Sequence, residues 1–447
     1  MTNSSMLSTI LWAAPIVAST TYSHFKDGPP AKSWTLKYNL LIAIMRTYIK
    51  GPAATLTPEQ MQKGSLTRHQ PLPQDCIETE LTIATEYREK GEKILAPHVD
   101  GLVDDWDWRA DRGAADPLPA SWITTTATPT AATASNQRTL LYFHGGAYFL
   151  GTYKLYRPLL GKLALKSGGA RVLAVDYRLA PQHPFPAGLE DALAAYLYLL
   201  SPPGDAPFDP VPASQIVISG DSAGGGLTMA LLMVLRDSGL PLPGGAIPIS
   251  PWVDLTHSLP SCQNNYHTDY LPFGSDEIPF SKHQITGGDS LLPRLHFYAP
   301  NHILKHYLVS PLYDPKQWRG LPPLLIQTGD AEQLRDESIC ASFKATNILS
   351  TLDDAPPTST LLDLYQDQPH VFQLLLPSKA VHRSVLTMAE FLRDPTVATG
   401  LTIRAVSSEG EIQDVTRDTV ARYGGAVWTD WMDRLDHTSS KGPVAKL

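Results

Sequence analysis

Cysteine is scarce in this chain: Cys76, Cys262 and Cys340 are the only three among 447 residues. They stand far apart and lack the spacing of metal ligands. So sparse and odd a set excludes a disulfide framework and points to a reducing compartment or one incidental bridge. A long basic run is also missing, and the net charge is −8. That balance argues against nucleic acid as a partner. Long apolar runs are short of what a membrane span requires, about 20 residues. Met6 to Ala18 is apolar but shorter than that, and no basic flank marks it as a secretory leader. There is no internal repeat. What remains is a folded, moderately charged protein, 43% apolar and 18% charged.

The first 120 residues hold few clean strand patterns and no catalytic motif. Within them, Trp34 to Ile49 sets Leu36, Leu40, Leu41, Ile44 and Met45 against Lys37, Arg46 and Lys50. This spacing predicts an amphipathic helix. Two uses stay open for it: packing on the protein's own core, or lying on a membrane surface. Localisation is accordingly read as cytoplasmic or at an endoplasmic-reticulum or other membrane surface, with no clear mark of secretion. Thr124 to Ser135 is a Thr/Ala/Pro-rich stretch that reads as a loop.

Beyond it the pattern changes. Short runs that are apolar throughout begin at Thr139, Arg171, Gln215, Ala246, Leu324 and Thr360. Apolar runs without alternation predict buried parallel strands. Helical patterns separate them at Tyr156 to Lys166, Leu189 to Leu200, Ala223 to Ser238 and Ala331 to Ser350. The alternation predicts an α/β fold, with a mostly parallel central sheet and helices on both faces. Residues 255–300, rich in Pro, Gly, Ser and His, interrupt the rhythm and read as an insertion over the C-terminal edge of the sheet. The expected organisation is an N-terminal cap over 1–120, a catalytic domain over 121–395 containing that lid insertion, and an extension over 396–447.

Two loops carry candidate chemistry. Gly220-Asp221-Ser222-Ala223-Gly224 lies between a predicted strand and a predicted helix. A sharp strand-to-helix turn needs small neighbours and lifts the serine hydroxyl above the sheet, toward backbone N–H groups such as that of Ala223. His144-Gly145-Gly146-Ala147-Tyr148 follows another strand. Its glycines let the amides of Gly145 and Gly146 converge on one oxygen, and His144 reads as the residue that holds the loop. His257, His267, His283, His296, His302 and His306 are scattered without metal spacing and read as surface or lid residues.

These residues carry a family likeness. His144 to Tyr148, Asp176-Tyr-Arg-Leu-Ala-Pro181 with His183-Pro-Phe-Pro186, Gly220 to Gly225, and Ser250-Pro-Trp252 occur in this order. In that combination the chain resembles the hormone-sensitive-lipase-like branch of α/β-hydrolases, which includes arylacetamide deacetylases and bacterial carboxylesterases. The ends of the chain are similar to those of fungal members related to steryl acetyl hydrolases. The likeness covers roughly 135–395.

The resemblance implies an α/β-hydrolase fold and an ester-hydrolysing serine enzyme without cofactor or metal, acting on a small apolar ester. Triad order in this fold is Ser, acid, His. It implies Ser222 as nucleophile and His370, in Pro369-His-Val-Phe372, as base. The acid falls on Glu332 where the family usually has Asp, and Asp330 stays open as an alternative. Asp336 and Glu337 read as support for a helix start. Asp176, Arg178 and Pro181 are expected to fix the loop beneath the site. Tyr148 and Trp252 are expected beside the substrate, and Trp106, Trp108, Tyr266, Tyr270 and Phe273 are candidates for a lid. Two other functions remain open: a biosynthetic acyltransferase or cyclase using the same triad, and a non-catalytic small-molecule binder of the same fold.

Overall fold

The computed structural model describes residues 3–102, 108–109, 116–126, 137–272, 296–346 and 355–421. Trp106, Phe273, His283 and most of the Thr/Ala/Pro stretch lie outside them. The chain opens with three helices: α1 (Asn3–Lys26), α2 (Leu36–Lys50) and α3 (Pro58–Leu66). Then follow β1 (Cys76–Ile83), α4 (Glu86–Val99), β2 (Leu118–Thr125), β3 (Thr139–Phe143), α5 (Arg157–Lys166), β4 (Arg171–Val175) and α6 (Ala187–Leu200). The second half runs β5 (Ile216–Asp221), α7 (Ala223–Asp237), β6 (Gly245–Ile249), β7 (Leu324–Gly329), α8 (Arg335–Ala345), β8 (Thr360–Tyr365), α9 (Lys379–Arg393), β9 (Leu401–Val406) and β10 (Ile412–Asp414).

The ten strands of the described residues join one sheet in the order β1-β2-β4-β3-β5-β6-β7-β8-β9-β10. The pairs from β4 through β9 are parallel, while β1, β2 and β10 run antiparallel at the edges. Strands thus come from both sides of the expected limits at 120 and 395. Each predicted central strand is found within one or two residues of its expected place.

Side chains alternate across the sheet, as a pleated strand requires. Leu140 and Tyr142 of β3 face one way, into a core with Leu159, Leu160 and Leu163 of α5 and Met388 and Phe391 of α9. Leu141 and Phe143 face the other way, into the larger core with Leu189 and Leu193 of α6 and Leu227 and Leu231 of α7. Full burial of such a side chain contributes about 1.5–3 kcal/mol. These two layers hold the parallel strand ends in register. Phe143 pairs with Gly220, Asp221 with Ile249, Ile249 with Gln327, and Gly329 with Tyr365. The loops after β3, β5, β6, β7 and β8 therefore leave the same end of the sheet, side by side.

The N-terminal helices cap that end. Thr35 caps α2 by accepting from the Tyr38 amide, and α3 starts with a Thr57/Gln60 capping box and Pro58 at its first turn. Trp34 and Ile42 are buried with Ala31 against Tyr270 and Leu375. The Trp34 indole donates to the Asp367 carbonyl, and the Ser33 amide donates to its carboxylate at 2.8 Å. The α2 region is thereby fastened to the loop that leads into His370. No disulfide joins the three cysteines, which are all buried. Among the described residues no helix is long and apolar enough to cross a membrane.

Candidate active site

Ser222 sits between β5 and α7 with φ 53° and ψ −120°. A positive φ is costly for a residue with a Cβ, and the surrounding backbone holds it there. The Ser222 amide donates to the Ile249 carbonyl at 2.9 Å, and its own carbonyl accepts from Trp252 and Gly226. Small neighbours are required. A Cβ on Gly224 would overlap the Phe143 and His144 carbonyls, and one on Gly220 would overlap backbone of Gly224 and Phe143. So tight an approach explains why glycines flank the serine.

His370 reaches this elbow from the loop after β8. Its Nε2 lies 2.9 Å from Ser222 Oγ. Its Nδ1 faces Glu332 Oε1 at 3.8 Å, and among the described residues neither atom has a hydrogen-bond partner. At that separation the carboxylate acts on the ring by charge. The other oxygen of Glu332 is fixed: Oε2 accepts from Ser250 Oγ at 2.7 Å and from the Gly329 amide at 3.0 Å. Burial pulls the His370 pKa down, but Glu332, Asp269 and Asp221 outweigh it and the net shift is upward from 6.5.

Asp330 is turned elsewhere. Its carboxylate accepts from the Asp367 amide at 2.6 Å, and burial pushes its pKa up to about 6. Of the two acids left open by the sequence, only Glu332 faces the imidazole. Asp336 and Glu337 do begin α8, but their oxygens brace the neighbouring loop. Glu337 accepts from the amides of Val253 and Asp254, and Asp336 from that of Ser261.

Two positioning groups escaped the sequence reading. Ser250, with φ 42°, donates to Glu332 and accepts from the Val371 amide at 3.2 Å, so one hydroxyl links the Glu332 loop to the His370 loop. Asp269 is fully buried and accepts three backbone N–H groups, from Tyr270, Gln333 and His370, at 2.8, 2.8 and 3.2 Å. Burial, opposed chiefly by His370, raises its pKa to about 6. The Ser-Pro-Trp motif was a signal for Ser250, whereas Asp269 lies in the insertion without any motif.

The glycine loop departs from expectation at Gly145. Its amide donates to Asp221 Oδ1 at 2.8 Å and to the Tyr156 hydroxyl at 3.1 Å, so it is already engaged and is corrected from the expected oxyanion donors. The same carboxylate accepts from the Tyr142 and Tyr156 hydroxyls at 2.7 and 3.1 Å. Burial and then the Asp221 charge hold both phenols protonated. Gly146 and Ala147 line the cavity next to Ser222. His144 is buried, stacks on Tyr177 at 4.5 Å, and its Nδ1 lies 2.7 Å from the Gly145 carbonyl. It holds the loop. Asp176 accepts from Thr152 Oγ1 and the Tyr153 amide, and Arg178 pairs with Asp191 and Glu190, which ties down the segment below.

Ser222 and His370 open into a cavity of about 430 Å³. Its walls are mainly apolar and come from the cap as well as the sheet: Tyr48, Ile49, Leu56 and Met61 from the N-terminal region, Phe149, Leu150 and Leu155 after β3, and Tyr270 and Leu271 from the insertion. Trp252 also lines it. Tyr148 does not. Its φ of 63° turns it inward, where it stacks on Tyr298 at 3.7 Å. Trp108 is a core residue, and Tyr266 lies under Lys50 at 3.5 Å. His296 is buried and His257 half-buried, both against Trp252, so neither is a surface residue, and both belong to the 255–300 insertion expected to form the lid.

Comparison with known proteins agrees with this architecture. Residues 140–374 match the model of a family described by its α/β hydrolase fold. An acetyl-hydrolase of Streptomyces hygroscopicus is 41% identical over 209 residues, which are 45% of this chain and 59% of that protein. A putative acetyl-hydrolase, LipR, of Mycobacterium tuberculosis is 36% identical over 220 residues, 48% of this chain and 63% of its own length. The chain thus spans about six tenths of these curated relatives. Among solved structures, an esterase from the bacterial hormone-sensitive lipase family superposes with a TM-score of 0.58 at 28% identity, covering 81% of this chain and 99% of that one. The named relatives are bacterial, so the narrower likeness to fungal members gains nothing from them. With its matched segment, its sheet order and its serine elbow, the chain belongs to the α/β-hydrolase fold family, on the hormone-sensitive-lipase-like branch.

Proposed function

We propose that this protein is a serine carboxylesterase that cleaves esters of small to medium apolar alcohols through an acyl-enzyme on Ser222. The observation that carries the reading is the 2.9 Å contact between Ser222 Oγ and His370 Nε2 at a strained elbow in the floor of an apolar cavity. In this mechanism His370 takes the hydroxyl proton as Ser222 Oγ attacks the carbonyl carbon. The oxyanion is received by the amides of Gly146 and Ala223. His370 then gives its proton to the departing alkoxide, and a water repeats the sequence to release the acid and restore Ser222. Glu332 keeps the imidazole oriented and supports its positive charge. A cavity of about 430 Å³ with mainly apolar walls suits an apolar alcohol or aryl group with a short acyl chain.

A fluorophosphonate probe tests the nucleophile directly. Wild-type protein is expected to be labelled at Ser222, and Ser222→Ala to remain unlabelled while keeping its circular-dichroism spectrum. Absence of label on folded wild-type protein overturns the reading. A p-nitrophenyl ester series tests the substrate: acetate and butyrate are expected to exceed long-chain esters in kcat/KM.

A further inference from the structure

Among the described residues, the outer face of α1 is apolar and uncovered. Leu11, Ala14, Pro15, Ala18, Tyr22 and Phe25 are all exposed. At 3.6 residues per turn they fall within an arc of about 100°. The three largest are far from marginal, with Leu11 and Tyr22 65% and Phe25 76% exposed. The opposite face packs on α2, where Trp12 meets Tyr48 edge to face and His24 meets Asn39. Tyr48 is itself a wall of the active-site cavity. The exposed stripe is therefore the outer surface of the cap over the serine.

Charge in the N-terminal segment that carries the stripe is unlike that of the rest of the chain. Residues 1–70 hold seven Lys and Arg against only Asp27 and Glu59, in a protein whose net charge is −8. Lys26, Lys32, Lys37, Lys63 and Arg68 are exposed. An apolar helical stripe together with this basic collar of the N-terminal segment complements an interface that is apolar within and anionic at its surface. A second copy of the chain fits less well, since a two-fold axis through the stripe would set one basic collar against another.

We propose that the outer face of α1, with the lysines around it, seats this protein on an anionic lipid surface, with the active-site cap against the bilayer. Given the esterase reading above, on which this consequence rests, the preferred substrate is an ester whose apolar part resides in the membrane.

The experiment is co-sedimentation of the full chain with phosphatidylcholine vesicles, with and without phosphatidylglycerol. Binding is expected to the anionic vesicles, and to weaken as salt rises from about 0.1 to 0.5 M. The stripe variant Leu11→Glu/Phe25→Glu and the collar variant Lys26→Glu/Lys32→Glu/Lys37→Glu are each expected to lose binding by about tenfold or more. Both should keep the wild-type rate on soluble p-nitrophenyl acetate, which reports an intact site. No sedimentation of wild-type protein, or undiminished binding of both variants, overturns the proposal. So does a wild-type dimer that the stripe variant converts to monomer, because the face is then a self-association surface. Vesicle binding by a protein without esterase activity leaves the docking surface standing and removes the esterase reading alone.

Discussion

Replacing Glu332 by glutamine separates the two acids that the sequence left open, and the structure fixes what the new side chain does. Ser250 Oγ and the Gly329 amide both donate to Glu332 Oε2. The side-chain carbonyl of the introduced glutamine must take that place to keep both bonds. Its NH₂ is then turned toward His370 Nδ1, where Oε1 now stands at 3.8 Å. A donor facing Nδ1 favours the tautomer with the proton on Nε2, and that nitrogen can no longer accept from Ser222. The fold is retained, and kcat is expected to fall about 10³- to 10⁴-fold with KM little changed. Asp330→Asn keeps the oxygen that accepts from Asp367 and touches no imidazole atom, so its kcat should stay within about twofold of wild type. The pH profile gives a second reading. Activity needs neutral imidazole and so rises as pH passes the His370 pKa. In the wild type that limb lies above 6.5, because Glu332, Asp269 and Asp221 outweigh burial. Without the Glu332 charge the limb moves to lower pH. The assay is kcat/KM for p-nitrophenyl acetate from about pH 5 to 9, a range that brackets the imidazole titration. A loss at Glu332→Gln smaller than about tenfold with an unmoved limb, or a greater loss at Asp330→Asn, refutes the assignment.

Asp269→Ala leaves two buried amides and the half-buried amide of Tyr270 without an acceptor, at about 1–3 kcal/mol for each buried one, so thermal unfolding should shift down by several degrees and kcat should fall with the loosened His370 loop. Unchanged melting and kcat would remove Asp269 from the positioning groups. Met61→Trp fills the cap side of the cavity and should reduce kcat/KM for butyrate more than for acetate, whereas Tyr148→Phe should leave that ratio unmoved because Tyr148 lies outside the cavity. Equal ratios in both variants would show that the cap wall does not contact the acyl or alcohol group. Gly224→Ala drives a Cβ into the Phe143 carbonyl and should yield insoluble or unfolded protein. Recovery of a folded, active Gly224→Ala enzyme would mean that the elbow can widen.

The central strands were legible because a strand buried on both faces has to be apolar at nearly every position, and β3 to β8 largely are. The edge strands were not. β1 alternates poorly, with Glu78 and Glu80 inside it and most of its residues at least partly exposed, and nothing local distinguishes it from a loop. Its strand character comes from pairing with β2, residue by residue from Cys76–Thr125 to Ile83–Leu118. A similar limit governs the site. Ser222, Glu332 and His370 each follow a strand that could be read, so once the strands are parallel and adjacent, their loops converge. Gly145 and Tyr148 were misplaced because their roles depend on partners from other loops. The Gly145 amide is a free donor only if no acceptor reaches it, and Asp221, from the next strand of the sheet, does reach it. Tyr148 points to substrate only if its backbone is extended, and a positive φ turns it onto Tyr298. A motif read along the chain thus gives the Ser222–His370 pair, because the turn and the strand ends position them locally. It does not identify the oxyanion donors or the binding wall, which are settled by contacts across 76 residues for Gly145 and Asp221 and by a cap that lies far before the serine in the chain. For the same reason, grafting the glycine loop alone onto another sheet should not transfer its amide geometry unless an Asp at the position of Asp221 and the Tyr156 hydroxyl go with it.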